Sequence, residues 1–142
     1  MTDRPLVDTG PLVALLNPRD RYHQWARSMF EQITSPVWTC EPVVTEACFL
    51  LRDTVPGVLA VLELLRRGVL QTGFRLDEEA EVIQASLKRY ASVPMSLADA
   101  CLVRMVEQDP SSRLLTLDRH FRIYRTRARR VIPTAMPPDQ AS

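Results

Sequence analysis

Four carboxylates stand out by where they fall in the chain. Asp8 closes the apolar Leu6-Val7 pair just ahead of Thr9-Gly10-Pro11, and Asp118 closes Leu114-Leu115-Thr116-Leu117. Glu46 follows Thr45 among Val43, Val44, Ala47 and Cys48, and Asp99 lies in Ser96-Leu97-Ala98-Asp99-Ala100. In a parallel α/β sheet the carboxyl ends of strands and the starts of the following helices share one edge, so all four acids can meet on one rim. Without a bridging charge they repel, and one or more is driven towards protonation. A hard divalent cation removes that conflict, since Mg²⁺ or Mn²⁺ takes oxygen ligands and keeps several waters. Each acid also has a purely structural reading. Asp8 and Asp118 can cap the turns that follow them, Asp99 fits a capping box with Ser96, and Glu46 can be a half-exposed helix acid.

The elements that must position these residues follow from hydrophobic period and from the prolines and glycines between the runs. Strands are expected at Arg4–Val7, Val37–Cys40, Val69–Thr72, Arg113–Leu117 and Arg130–Ile132. Helices are expected after Pro11 to about Asn17, then over Tyr22–Ile33, Val43–Arg52, Val58–Arg67, Asp77–Ala91 and Ser96–Gln108, with a short one from Arg119 to Arg125. Proline sits near the start of two of them, where its missing N–H leaves no bond unmade. Strands alternating with helices predict a parallel sheet covered on both faces. One domain is expected over residues 1–142, with a loose tail from about Pro133, where Pro137-Pro138 follows.

Length and composition are those of a globular domain with a real core: 142 residues, 46% hydrophobic and 25% charged. No run reaches transmembrane length, and Met1-Thr2-Asp3-Arg4 has no basic flank leading into an apolar stretch. Cys40, Cys48 and Cys101 show neither CxxC spacing nor an even count, so reduced thiols in a cytoplasmic protein are expected. The net charge of +1 hides an asymmetry. From Arg113 to Arg130 the chain carries Arg113, Arg119, Arg122, Arg125, Arg127, Arg129 and Arg130 against the single acid Asp118. That run is either a solvated face or a surface for a phosphate backbone. The helices Val43–Leu51 and Val58–Leu65 are apolar on more than one face, which predicts a second cover beyond the sheet.

Taken together, Val7-Asp8-Thr9-Gly10-Pro11-Leu12, Pro42-x-x-Thr45-Glu46, Ser96-Leu97-Ala98-Asp99-Ala100 and Leu115-Thr116-Leu117-Asp118-Arg119-His120-Phe121 resemble the PIN-domain ribonucleases. Within them the chain is most similar to the VapC-type toxins of bacterial toxin–antitoxin pairs. The resemblance runs from Leu6 to about Ile132, in family order. It implies a PIN-like three-layer α/β fold with a five-stranded parallel sheet in the order 3-2-1-4-5. It implies that Asp8, Glu46, Asp99 and Asp118 form an acidic quartet for Mg²⁺ or Mn²⁺, with Thr116 as the small hydroxyl residue supporting it. Asp20, near His23, resembles a recurrent acid of less defined role. The implied chemistry is hydrolysis of an RNA phosphodiester to 5′-phosphate and 3′-hydroxyl ends. The implied partners are RNA, a DNA-binding antitoxin and a second copy of the chain, with no membrane.

Two other classes share some of these signals. Asp8-Thr9-Gly10 is also the triplet of aspartic proteases, but those are nearly all β, and this chain reads as largely helical. A catalytically idle PIN fold serving as an interaction module is the second, and four intact acids speak against it.

Overall fold

A computed structural model describes residues 3–141, with side chains up to Asp139. Five strands form one parallel sheet in the order β3-β2-β1-β4-β5, as the resemblance implies. They are β1 (Arg4–Val7), β2 (Val37–Trp38), β3 (Leu70–Gln71), β4 (Ser112–Leu115) and β5 (Thr134–Ala135). The helices between them are α1 (Thr9–Leu16), α2 (His23–Gln32), α3 (Glu41–Leu50), α4 (Val58–Arg66), α5 (Leu76–Arg89) and α6 (Leu97–Gln108). A 3₁₀ turn, Arg119–Arg122, follows β4, and a short α7 (Pro138–Ala141) follows β5. Among the described residues no helix is long and apolar enough to cross a membrane.

The central pair is β1 with β4, registered Leu6 to Leu114 and Val7 to Leu115. Leu6, Val7 and Leu114 are wholly buried and Leu115 nearly so, which leaves both faces of the central pair covered, as in parallel sheets with helices on either side. Pro5 is unusual in a central strand because it cannot donate to the ladder. Here the even-numbered amides, such as Arg4 and Asp8, face β4. The missing N–H of Pro5 therefore points towards β2, whose pairing with β1 registers at Leu6 and Trp38.

Several boundaries differ from the sequence reading, each for a local reason. Helix α1 begins at Thr9 rather than after Pro11, with Asp8 as its cap. Pro11 is thus the third helical residue, still among the first four whose amides have no intrahelical partner. Strand β4 ends at Leu115, not Leu117, so Asp118 stands three residues beyond the ladder. The fifth strand is Thr134–Ala135 instead of Arg130–Ile132: Leu114 and Thr116 donate to the carbonyls of Pro133 and Ala135. Val131 instead bridges Arg125 in an antiparallel turn. The stretch after Pro133 contributes to the sheet. It forms the edge strand, and Asp139 beyond it accepts from Arg21 (2.7 Å) and from the Tyr22 hydroxyl (2.9 Å).

Around the sheet, α1 packs on α2 and α3, α3 on α4 and α6, and α6 on β4. Helices α5 and α6 form an antiparallel hairpin. Glu79, in the first turn of α5, accepts from Arg104 (2.7 Å) and Gln108 (2.8 Å) near the end of α6. The three cysteines are free thiols, with Cys40 and Cys101 buried.

Gly57 opens α4 with φ +53°, and a Cβ there would lie 2.2 Å from the Thr54 carbonyl oxygen. Both the backbone region and the space demand glycine. Gly57→Ala is expected to lower unfolding free energy by about 1–3 kcal/mol in urea titration, without altering the cleft described next.

Candidate metal centre

Asp8 leaves β1 in extended conformation and caps α1. One carboxylate oxygen accepts the Thr9 amide (2.8 Å) and the other accepts the Thr116 hydroxyl (2.8 Å). Thr116 Oγ1 in turn accepts the Asp118 amide (3.0 Å). One fully buried hydroxyl therefore ties the acid after β1 to the acid after β4. Asp118 caps the 3₁₀ turn. Its Oδ1 accepts the His120 amide (2.9 Å) and lies 2.8 Å from His120 Nδ1.

Asp99 enters from α6. Ser96 and Asp99 form a full capping box: the Asp99 amide donates to Ser96 Oγ (3.0 Å) and Asp99 Oδ2 accepts the Ser96 amide (3.3 Å). That same oxygen accepts the Tyr124 hydroxyl at 3.0 Å. Tyr124 is itself buried, with the rings of Tyr90 and Phe121 edge-on to it, each 5.2 Å away. The helix-cap readings of Asp8, Asp99 and Asp118 thus all hold, and the same bonds aim the carboxylates at one place.

That place is a cleft of about 500 Å³ lined by all four predicted acids. Thr9, Gly10, Ser96 and Leu117 complete much of the wall, and among the described residues no Lys or Arg lines it. Gly10 is needed for close packing, because a Cβ would sit 3.0–3.3 Å from the Leu117 side chain. Burial raises the Asp8 carboxyl from its ordinary 3.8 to about 7, and the charges of Asp99 and Asp118 add to the rise against the Thr116 and Thr9 bonds. Asp99 is raised too, by burial and by Asp118, with the Tyr124 and Ser96 bonds opposing. The Tyr124 hydroxyl is pushed up by burial and by the Asp99 charge.

Glu46 stands apart. It is exposed on α3, on the wall shared with Leu50. Asp20 belongs to another structure: it accepts the Tyr22 amide (2.8 Å) in the loop before α2 and does not line the cleft. Sequence reasoning missed Tyr124 and His120 as partners of the acids. The Phe121-x-x-Tyr124 spacing suggests one buried face, but nothing local signals that the hydroxyl meets a residue 25 positions earlier.

The donor set fits a hard divalent ion. It is all oxygen, its carboxylates carry like charges, no Lys or Arg is among the described residues of the wall, and buried Thr9 Oγ1 there has no hydrogen-bond partner. Among the described residues no three His, Cys, Asp or Glu side chains are grouped tightly enough to enclose an ion by themselves. An ion that keeps part of its water shell suits such an open arrangement.

The PIN domain family model matches residues 6–126, and the chain belongs to that family. No curated protein matches it. Among solved structures it resembles VapC20 of Mycobacterium tuberculosis, described as a sarcin–ricin loop cleaving toxin. That likeness has a TM-score of 0.68 at 22% identity and covers 77% of this chain and 85% of the other. At this identity the likeness is one of fold.

The raised Asp8 carboxyl has a consequence for stability. Between its unfolded value near 4 and its folded value near 7, the native state holds a proton that the unfolded chain has shed. Stability of the metal-free protein therefore falls as pH rises through that window, by up to about 4 kcal/mol from this group, and levels off above it. In EDTA the melting temperature is expected to drop from pH 5 to pH 8. Asp8→Asn, which keeps an acceptor for the Thr9 amide, should flatten that dependence and melt several degrees higher at pH 8. A parallel fall in both proteins would show that Asp8 is not the group responsible.

Proposed function

We propose that this chain is a divalent-metal-dependent endoribonuclease and the toxin of a toxin–antitoxin pair, working as one PIN domain in the cytoplasm. The observation that carries this reading is the cleft lined by Asp8, Glu46, Asp99 and Asp118, where burial and neighbouring acids raise the Asp8 and Asp99 carboxyls and no Lys or Arg is among the described wall residues. Membership of the PIN family and a fold shared with an RNA-cleaving toxin support it.

Asp8, Asp99 and Asp118 would hold Mg²⁺ or Mn²⁺, with Glu46 completing the set. When bound, such an ion polarises a phosphoryl oxygen and lowers the pKa of a bound water towards neutrality. The protein's own residues do the rest. Thr116 keeps an Asp8 oxygen from swinging away, and Tyr124 and Ser96 do the same for Asp99. Glu46, exposed on the cleft wall, would orient the attacking water and take its proton. The water oxygen bonds to phosphorus as the bond to O3′ breaks in line, and the departing O3′ takes a proton from solvent water, leaving 5′-phosphate and 3′-hydroxyl ends. Single-stranded or looped RNA is the expected substrate, because its backbone and bases are accessible.

Cleavage of loop RNA should require Mg²⁺ or Mn²⁺ and vanish in EDTA. Asp8→Asn and Asp99→Asn should each lower the rate by about three orders of magnitude or more while circular dichroism stays native. Full activity in Asp99→Asn would remove the assignment. RNA binding with no cleavage under any divalent ion would point to the idle interaction module.

The apolar faces anticipated on α3 and α4 are partly uncovered. Leu51 and Val61 are buried, but Phe49 is 61% exposed and Leu59 71%, with Leu50 and Leu62 about half exposed. A groove of about 700 Å³ lined by Pro42, Phe49, Phe74 and Leu97 shares Glu46 and Ser96 with the acidic cleft. We place the antitoxin's amphipathic segment in this groove, with a basic side chain entering the cleft, and a twofold dimer on the neighbouring surface. Calorimetry with the co-encoded small protein should give a large negative heat-capacity change, and light scattering should show a dimer. A monomer at tens of micromolar that binds no such peptide would overturn both.

A further inference from the structure

The acidic cleft cannot hold a polyanion unaided, since among the described residues no Lys or Arg lines it. Cations that grip the substrate must stand outside, and most arginines already have other work. Arg104 pairs with Glu79 and Glu107, Arg66 with Glu63, and Arg75 with Asp77. Arg125 donates to the carbonyls of Arg122, Ile123 and Tyr124, so it is a structural clamp. The basic run seen in the sequence is therefore not one surface.

Arg127, Arg129 and Arg130 are different. They are exposed, and among the described residues their side chains make no ion pair, hydrogen bond or ring contact. Their loop is nevertheless well braced. The Thr126 amide donates to the Arg130 carbonyl (2.9 Å), the Arg129 amide to the Thr126 carbonyl (2.8 Å), and the Arg130 amide to Thr126 Oγ1 (3.0 Å). The Arg127 amide donates to Glu107, which pins the loop to the last turn of α6.

From this loop a groove of about 210 Å³ follows α5. Arg127 and Glu107 border it together with Val82 and Ser86, and it reaches Arg89 and Tyr90. The guanidinium of Arg89 lies flat over the Tyr90 ring, 5.3 Å from its centroid. Tyr90 begins the segment that leads to Pro94 and Ser96 in the wall of the acidic cleft. Since α5 and α6 are antiparallel, the Tyr90 end of the groove lies at the same end of the hairpin as Ser96 and Asp99 of the cleft, though the two share no lining residue. Along α6, eight residues from Asp99 to Glu107 span roughly 12 Å.

We infer that an RNA strand passing through the acidic cleft continues down this groove, its phosphates held by Arg89 and by the Arg127, Arg129 and Arg130 loop. The inference rests on the nuclease reading above. Guanidiniums match phosphate in a two-pronged way. Here they come from two separate elements, Arg89 on α5 and the loop of residues 127–130, with Arg89 and Arg127 bordering the same groove, a wider spacing than a single carboxylate would need. That spacing favours a phosphodiester strand over an acidic peptide.

The test measures binding in the non-cleaving Asp8→Asn protein, with and without Arg89→Gln, Arg127→Gln, Arg129→Gln and Arg130→Gln together. Fluorescence anisotropy follows a labelled single-stranded RNA of about 20 nucleotides and one of about 5, across a salt series. Each phosphate contact contributes a slope of about 0.7 in log affinity against log salt for single strands. The parent should show the steeper slope on the long RNA. In the fourfold variant that slope should fall by nearly 3, to the value seen for the short one. An unchanged slope overturns the track. So does a variant that keeps the RNA slope but loses binding to poly-glutamate, which would assign the loop to an acidic protein segment. Cleavage by the wild-type chain of either RNA with Mg²⁺ is scored separately, so failure of the nuclease reading is distinguishable from failure of the track.

Discussion

The structure turns on the burial of one carboxylate. Asp8 lies at the end of the central strand, 7% exposed, with Asp99 and Asp118 as charged neighbours. An isolated buried charge is costly unless it is bonded and paired. Two hydrogen bonds meet part of that cost, from the Thr9 amide and the Thr116 hydroxyl, and the remainder is left as a raised proton affinity. Folding therefore delivers a site with an unmet demand for positive charge. The rest of the chain serves to keep that demand in place.

Thr116 shows how little material this takes. A single buried hydroxyl donates to Asp8 and accepts from the Asp118 backbone, so the ends of two adjacent strands are locked to each other. Tyr124 does the equivalent for Asp99 from a wholly different part of the chain. Neither residue needs to touch substrate to matter. Both hold a carboxylate that would otherwise swing away from its like-charged neighbours.

Much of this was readable in advance, and the failures have identifiable causes. Apolar runs ending in acid marked Asp8 and Asp118, and Ser96-x-x-Asp99 marked a cap, because those signals are local. The strand order followed from family likeness, not from periodicity. What escaped was long-range: the Tyr124–Asp99 bond, and an edge strand at Thr134–Ala135 rather than Arg130–Ile132. Val131 and Ile132 have the better strand composition, but Arg125 takes Val131 into a turn, and the ladder goes to the two small residues beyond. The seven-arginine run looked like one feature because sequence cannot show which guanidiniums are spent on carbonyls and which are free.

The pairing of β1 with β4 has a bearing on how the molecule comes into being. Thr116 and Asp8 are 108 residues apart in the chain, so their contact requires closing nearly the whole length into a loop. Such pairings are slow to form and come late, whereas the α5–α6 hairpin closes over a short stretch. During synthesis from the N-terminus, Asp8 emerges early but has no Thr116 and no Asp118 to meet until β4 has left the ribosome. A nascent chain thus carries its acids singly and solvated, and the cleft exists only in the nearly finished protein.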